Sequence, residues 1–128
     1  MRARSVLSMT VVAVVLAAVS LSMAQAQGLP TEIGQCVTTK IKSAGGRFAD
    51  DPASGSTIAY ENGGSQVSYE VLPAVAASRV GDQVRLCLVS RPRNCPATDQ
   101  RGSVYRARNL RTQQGWELPD SAHKCGGV

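Results

Sequence analysis

Four cysteines, Cys36, Cys87, Cys95 and Cys125, are the feature that most restricts how this chain of 128 residues can fold. They follow an apolar amino-terminal segment typical of exported proteins, and in an oxidising compartment an even number of cysteines predicts disulfides. Zinc is the competing interpretation, but no two of these cysteines have the C-x-x-C spacing and the chain has 1 histidine. We therefore expect two disulfides, no metal and no cofactor.

Three pairings of the four cysteines are possible, and their spacing does not choose among them. We favour Cys36–Cys125 with Cys87–Cys95, which would tie the ends of the domain together and close one local loop. The alternative, Cys36–Cys87 with Cys95–Cys125, would join a first strand, at 35–43, to the strand at 83–90 and pin the tail. In a domain this small, each disulfide contributes about 2–4 kcal/mol to stability.

The first 26 residues have the organisation of a secretory signal peptide. Arg2 and Arg4 form a basic head, an uncharged apolar stretch follows, and Ala24-Gln25-Ala26 matches a small-x-small cleavage site. The apolar core, Val11 to Val19, is shorter than the ~20 residues that a membrane-spanning helix needs, which disfavours a retained anchor. We expect cleavage after Ala26, a periplasmic or secreted protein, and no membrane span in the mature chain.

The mature chain is predicted to hold an extended leader at 27–34 and one disulfide-linked domain at 35–128. Of the 14 Lys and Arg residues, 12 follow the predicted cleavage site, against 9 Asp and Glu, which gives a net charge of +3. This excess is small, and the envelope contains little nucleic acid. A nucleic-acid partner is therefore not expected.

Alternation of apolar and polar residues predicts a mainly β domain. Val84, Leu86 and Leu88 alternate with other residues, which is the period of a half-buried strand. Asn62-Gly63 predicts a tight hairpin turn. A proline followed by alanines predicts a short helix at 73–79. Strands are predicted at five places: 35–43, 57–61, 66–71, 83–90 and 103–109.

This order of elements predicts a small five-stranded antiparallel barrel with one short helix. Its topology is similar to the oligonucleotide/oligosaccharide-binding (OB) barrel, and an SH3-like barrel or a small sandwich is the alternative. Trp116 is expected to be buried, either in a short last strand or as a plug on the barrel. Tyr60 and Tyr69, on the hairpin, are candidate stacking surfaces for a ligand.

Short motifs are distributed along nearly all of the mature domain. They are GDxV at 81–84, CLVSxP at 87–92, CP at 95–96, RGxVY at 101–105, NLRT at 109–112, WxLPDS at 116–121 and HxCGG at 123–127. Together they resemble a family of small exported bacterial proteins of uncharacterised function. The resemblance implies export and a disulfide-linked domain, and it implies no activity and no functional residue.

A cluster of arginines is the most informative candidate for a site. Within 91–111 the only acid is Asp99, and the six basic residues are Arg91, Arg93, Arg101, Arg106, Arg108 and Arg111. The planar fork of arginine suits phosphate, sulfate or carboxylate groups.

The expected barrel would bring part of this cluster to a binding face. Arg91, Arg93 and Arg101 would lie on the loop between the last two strands. Arg47 would lie on the loop between the first two, and these loops flank the face that such barrels use. We predict an anionic-ligand site formed by these four arginines. The competing interpretation is a solvated basic surface.

No group of residues indicates catalysis. His123 is the only histidine and lies in a glycine-rich tail, and the carboxylates are scattered over strand ends and turns. We predict a non-enzymatic binding or interaction module of the cell envelope, whose partner is an anionic envelope polymer or a protein. The alternative is an inhibitor of a secreted hydrolase, a protease or a lysozyme, because a cysteine-held loop at 91–96 would be preorganised for binding.

Overall fold

The computed structural model describes residues 28–126, so the predicted signal peptide and Gln27 lie outside the described residues. Within this part the chain forms six strands and one short helix. They are β1 (Cys36–Gly45), β2 (Ser56–Tyr60), β3 (Ser65–Ser68), α1 (Pro73–Ala76), β4 (Gln83–Ser90), β5 (Val104–Asn109) and β6 (Gly115–Pro119). No helix between residues 28 and 126 is long and apolar enough to cross a bilayer.

The six strands form one antiparallel sheet in the order β3-β2-β1-β4-β5-β6. β1, one of the two central strands, has ten residues and pairs with two neighbours. Its first half pairs with β4 and its second half with β2, and the register shifts between Ile41 and Ser43. Because an irregularity of this kind bends a strand, the sheet curls into a half-barrel.

The apolar core fills the concave side of this sheet. Every second residue of most strands is buried, as the alternation in the sequence predicts. Val75 of α1, which is 2% exposed, packs over the core from the open side. The core residues on the strands are Val37, Ile41, Ile58, Tyr60, Val84, Leu86, Leu88, Tyr105, Ala107, Trp116 and Leu118.

The prediction of five strands is wrong, because the segment around Trp116 forms a sixth. The chain reverses after β5 through Gln113, whose φ of 61° lies in the left-handed region. Trp116 and Leu118 are then buried, while Gly115 and Glu117 are exposed, so the segment alternates as a strand and pairs with β5. The mainly β class, the short helix and the burial of Trp116 are confirmed.

The structure contains two disulfides, Cys36–Cys87 and Cys95–Cys125, so the favoured pairing is wrong and the alternative is confirmed. The reason is strand register. Cys36 of β1 lies directly opposite Cys87 of β4, with 4.0 Å between their Cα atoms. The other two cysteines join the loop before β5 to the tail after β6. Two such bonds indicate an oxidising, extracytoplasmic environment.

A buried glutamine joins the two edges of the sheet. Gln66 of β3 is 1% exposed, and its Oε1 accepts hydrogen bonds from the Tyr60 hydroxyl (2.6 Å) and the Trp116 indole (2.9 Å). Its Nε2 donates to the carbonyl oxygens of Tyr105 (2.7 Å) and Leu118 (2.9 Å). Burial raises the pKa of Tyr60 far above its ordinary value, so its hydroxyl remains a donor. One side chain therefore closes the half-barrel across β3, β5 and β6.

Candidate functional site

The four arginines predicted to form a site lie in different surroundings. The Arg47 guanidinium lies over the ring of Tyr69, 4.1 Å from its centroid, and 5.3 Å from that of Phe48. Both rings are 62% exposed. Tyr60, the other expected stacking surface, is buried in the core, so that expectation is wrong. Arg47 thus belongs to a surface cluster just beyond the end of β3.

Arg101 is held by a carboxylate of its own loop. Its Nε and Nη2 donate to the two oxygens of Asp99, at 2.8 and 2.9 Å. These bonds hold the pKa of Asp99 well below its ordinary value. Because Asp99 also accepts a hydrogen bond from the Gly126 amide, the pair ties the loop to the tail. The charge of Arg101 is therefore largely balanced.

Arg91 and Arg93 are exposed, and within residues 28–126 neither forms an ion pair. Arg91 lies close enough to Tyr105 to act on its pKa, and Arg101 lines the same pocket as Tyr105. The Arg93 carbonyl lies 3.8 Å from the Cys125 Sγ. Arg91 and Arg101 are thus brought to one region around Tyr105, whereas Arg47 lies at the opposite end of β3 beside Tyr69.

The last arginine of the cluster has a structural role. Arg111 donates from Nε (2.7 Å) and Nη2 (2.9 Å) to the carboxylate of Asp82, which also accepts from the side chain of Asn109 (2.9 Å) and the Arg79 amide (2.9 Å). These bonds, that of Arg111 foremost, hold the pKa of Asp82 far below its ordinary value. They fasten the turn after β5 to the segment that follows α1.

The convex side of the sheet carries a second group of basic residues. Arg85 on β4 and Arg106 and Arg108 on β5 are exposed and alternate with buried residues. Lys40 projects from the same side of β1. The register places Arg85 directly opposite Arg108. We call Lys40, Arg85, Arg106 and Arg108 the basic face.

Counter-charges on the basic face are few. Arg106 is paired with Glu117 at 2.9 Å, and Arg108 donates to the Gln113 side-chain oxygen at 2.9 Å. Within residues 28–126, neither Arg85 nor Arg108 forms an ion pair. Like charges directly opposite each other destabilise a strand pair, so this face carries an unfavourable electrostatic interaction that a bound anion would relieve.

A glycine opens a groove between these arginines. Gly115 of β6 lies opposite Arg108 and leaves a hollow of about 310 Å³ lined by Arg85, Arg106, Arg108 and Glu117. A Cβ atom at 115 would lie 2.8 Å from the carbonyl oxygen of Ala107, closer than packed atoms approach. The groove therefore lies among three arginine side chains, and carboxylate, sulfate and phosphate groups are the ligands that arginine binds best.

A second cavity, the loop pocket, lies where the β2–β3 turn meets the loop before β5. It has a volume of about 280 Å³. Its lining residues are Leu29, Gly63, Gly64, Ser65, Gln100, Arg101, Tyr105 and Asp120. The Asp120 carboxylate accepts a hydrogen bond from the Gly102 amide at 2.8 Å. Unlike the groove, this pocket has one acid, Asp120, and one base, Arg101, that is already paired with Asp99, so it does not attract anions.

The four-arginine site predicted from the sequence included no residue of the basic face, although Arg106 and Arg108 belong to the cluster of six. Arg85 is not part of the cluster of six arginines in the sequence. Its position opposite Arg108 depends on the register of β4 and β5. Alternation around Ala107 could have shown that Arg106 and Arg108 share one side of a strand. That this side of β5 lies next to Arg85 of β4 is known only from the strand pairing in the structure.

Residues 28–126 contain no group of three or more His, Cys, Asp or Glu side chains placed to hold a metal ion. All four cysteines are in disulfides. No protein-family model, no curated protein and no solved structure matches this chain.

Proposed function

We propose that the protein is an exported, non-enzymatic binding module of the cell envelope that holds an anionic polymer on the basic face. The observation that carries the proposal is the opposition of Arg85 and Arg108 across β4 and β5. Two unpaired cations in register repel each other. An oxyanion placed between their guanidinium groups would turn this repulsion into two attractive contacts.

The spacing of the basic face favours a ligand with repeated charges. Arg106 and Arg108 are alternate residues on one strand, about 6.6 Å apart, and adjacent strands are about 4.8 Å apart. Cations at such intervals on an open surface can engage successive anionic groups of a chain. A single small anion would use only the groove at Gly115 and leave Lys40 uncontacted.

The fold and the location support the same proposal. β1 pairs with both β2 and β4, and α1 lies between β3 and β4 in the chain, which fits an OB-like barrel extended by β6. The predicted signal peptide and the disulfides favour the periplasm or the exterior, where anionic polymers of the envelope are abundant ligands. OB-like barrels commonly bind polymers on the face flanked by the β1–β2 and β4–β5 loops, and the proposal uses a different surface of the same scaffold, the convex side of β1, β4 and β5.

Retention of the mature, oxidised protein on a heparin column tests the proposal. Arg85→Ala/Arg108→Ala removes from the basic face two arginines that form no ion pair within residues 28–126. Its matched control, Arg91→Ala/Arg93→Ala, removes from the loop two arginines that likewise form no ion pair in the described part of the chain, and it causes the same change in net charge. We expect the first variant to elute at a clearly lower salt concentration than the control, because counter-ion release depends on contacts made.

Two outcomes would contradict the proposal. Equal loss of retention in both variants would mean that heparin responds to net charge alone. A larger loss in Arg91→Ala/Arg93→Ala would favour the loop site that the sequence predicted, and Arg101→Ala would then be the next variant to measure.

One observation favours inhibition of a secreted hydrolase as a second function. Arg93 is exposed on a loop that the Cys95–Cys125 disulfide holds, beside Asn94 with a φ of 58°. A loop fixed in this way loses little entropy on binding. The protein at micromolar concentration should then slow a protease that cleaves after arginine, and Arg93→Ala should not. No slowing of any enzyme in a panel of proteases and lysozymes would remove this function.

A further inference from the structure

We infer that the loop pocket is a second binding site, for a small neutral ligand rich in hydroxyl groups, such as one sugar residue. This inference does not depend on the basic face. It follows from the hydrogen-bonding groups that the lining residues leave unused, from the charge balance of the lining and from the size of the cavity.

Two acceptors are available in the loop pocket. Asp120 uses Oδ1 to accept from the Gly102 amide, and within the described residues its Oδ2 has no partner. Gln100 donates from Nε2 to the carbonyl of Pro96 at 2.8 Å, and its Oε1 is likewise unengaged in residues 28–126. In both side chains one atom fixes the position and the other remains open to a ligand.

The loop pocket also has two hydrogen-bond donors, besides the acceptors of Asp120 and Gln100. The Tyr105 hydroxyl forms no hydrogen bond within residues 28–126, although the residue is only 8% exposed. Burial, helped by the charge of Asp120, raises its pKa, so the hydroxyl stays protonated. Arg101 gives Nε and Nη2 to Asp99, which leaves Nη1 as the second donor. A sugar hydroxyl both donates and accepts, and it can therefore use this mixed set.

The charges of the pocket do not favour an anion. Arg101 is paired with Asp99, and the Asp120 carboxylate acts on Tyr105 with the opposite effect to that of Arg91. Leu29, packed against the hairpin turn at Gly64, supplies an apolar wall for the C–H face of a sugar ring. A volume of about 280 Å³ lies at the lower end of ligand pockets, which fits a single ring.

The inference is tested by nuclear magnetic resonance titration of the mature, oxidised ¹⁵N-labelled protein. The probes are glucose, galactose, mannose and N-acetylglucosamine, each added separately. We expect at least one to shift the amide signals of Gly63, Gly64 and Gly102 in a saturable way. Tyr105→Phe removes one donor, and Asp120→Asn replaces the open acceptor while keeping an oxygen for Gly102. Each should weaken binding about 10-fold or more.

Tyr69→Phe is the matched control, because it deletes the hydroxyl of an exposed tyrosine at the other end of β3, and it should bind as the wild type does. No saturable shift with any probe would overturn the inference, as would unchanged binding in both Tyr105→Phe and Asp120→Asn. Tighter binding of glucuronic acid than of glucose would also overturn it. If Tyr105→Phe does not fold, Asp120→Asn decides alone.

The two proposals fail separately. Arg85→Ala/Arg108→Ala should lose heparin retention and keep the sugar-dependent shifts. Loss of both properties in that variant would contradict the separation of the loop pocket from the basic face.

Discussion

The Gln66 side chain makes hydrogen bonds that the backbones of β3 and β6 do not make with each other. Both ends of its amide are used, and the orientation is determined by the partners, because a reversed amide would set its NH₂ group against two donors. A polar residue in an apolar core costs little when every group is satisfied and a great deal when one partner is removed.

Replacing Gln66 by Leu keeps the volume of the side chain but removes its four hydrogen bonds, and it leaves the buried Tyr60 hydroxyl and Trp116 indole without the acceptor that they share. We expect the free energy of unfolding to fall by about 3–5 kcal/mol, since each unpaired buried group costs about 1–3 kcal/mol. Urea denaturation followed by Trp116 fluorescence measures the change. Gln83→Leu, the same replacement at an exposed position of β4, should change stability by less than about 0.5 kcal/mol. A similar loss in both variants would contradict a role for the buried network.

Among the strands, local pattern predicted position well and pairing poorly. The strand at 83–90 and the hairpin around Asn62-Gly63 were both predicted, because apolar alternation and turn-forming residues depend only on residues that are adjacent in the sequence. The sequence did not decide whether the segment of β6 is a strand or a plug on the barrel. Apolar and polar residues alternate over only five residues there, and one of them is Gly115. The disulfide pairing and the opposition of Arg85 to Arg108 both depend on register, which is set by contacts between distant segments.

The two disulfides should differ in what their removal does. Cys36–Cys87 joins adjacent strands at the centre of the sheet, so Cys36→Ala/Cys87→Ala should lower the free energy of unfolding by about 2–4 kcal/mol. Cys95→Ala/Cys125→Ala frees a loop and a tail, and we expect faster hydrogen exchange at the Gly102 amide with little change in β1 and β4. Urea denaturation and amide exchange measure the two effects. Uniformly faster exchange in the second variant would contradict this division.

For the whole molecule, two carboxylates make the free energy of unfolding depend on pH in acid. Hydrogen bonds from Arg111 hold the pKa of Asp82 well below its ordinary value, and those from Arg101 do the same for Asp99. Because the folded-state pKa values lie below those of the unfolded chain, about 3.9, the unfolded chain takes up protons first. The stability that these groups contribute is complete above about pH 4 and is lost progressively as the pH falls toward the folded-state values.

We therefore expect the melting temperature of the wild type to fall steeply below about pH 4. Asp82→Asn should melt about 5 °C or more lower at neutral pH and should decline less steeply in acid, because one of the two groups no longer titrates. Circular dichroism melts from neutral pH to about pH 2 measure both slopes. Asp50→Asn, at an exposed aspartate without an ion pair within residues 28–126, should follow the wild type. Parallel curves for Asp82→Asn and the wild type would contradict the assignment.

The bare position at Gly115 has a consequence for how this surface can vary. Even one methyl group there would press on the Ala107 carbonyl. Both the close pairing of β5 with β6 and the hollow beside Arg108 therefore require glycine at position 115. If the proposed function holds, substitutions elsewhere on the convex side would change which anions bind. The recess itself would persist in every variant that keeps these two strands in contact.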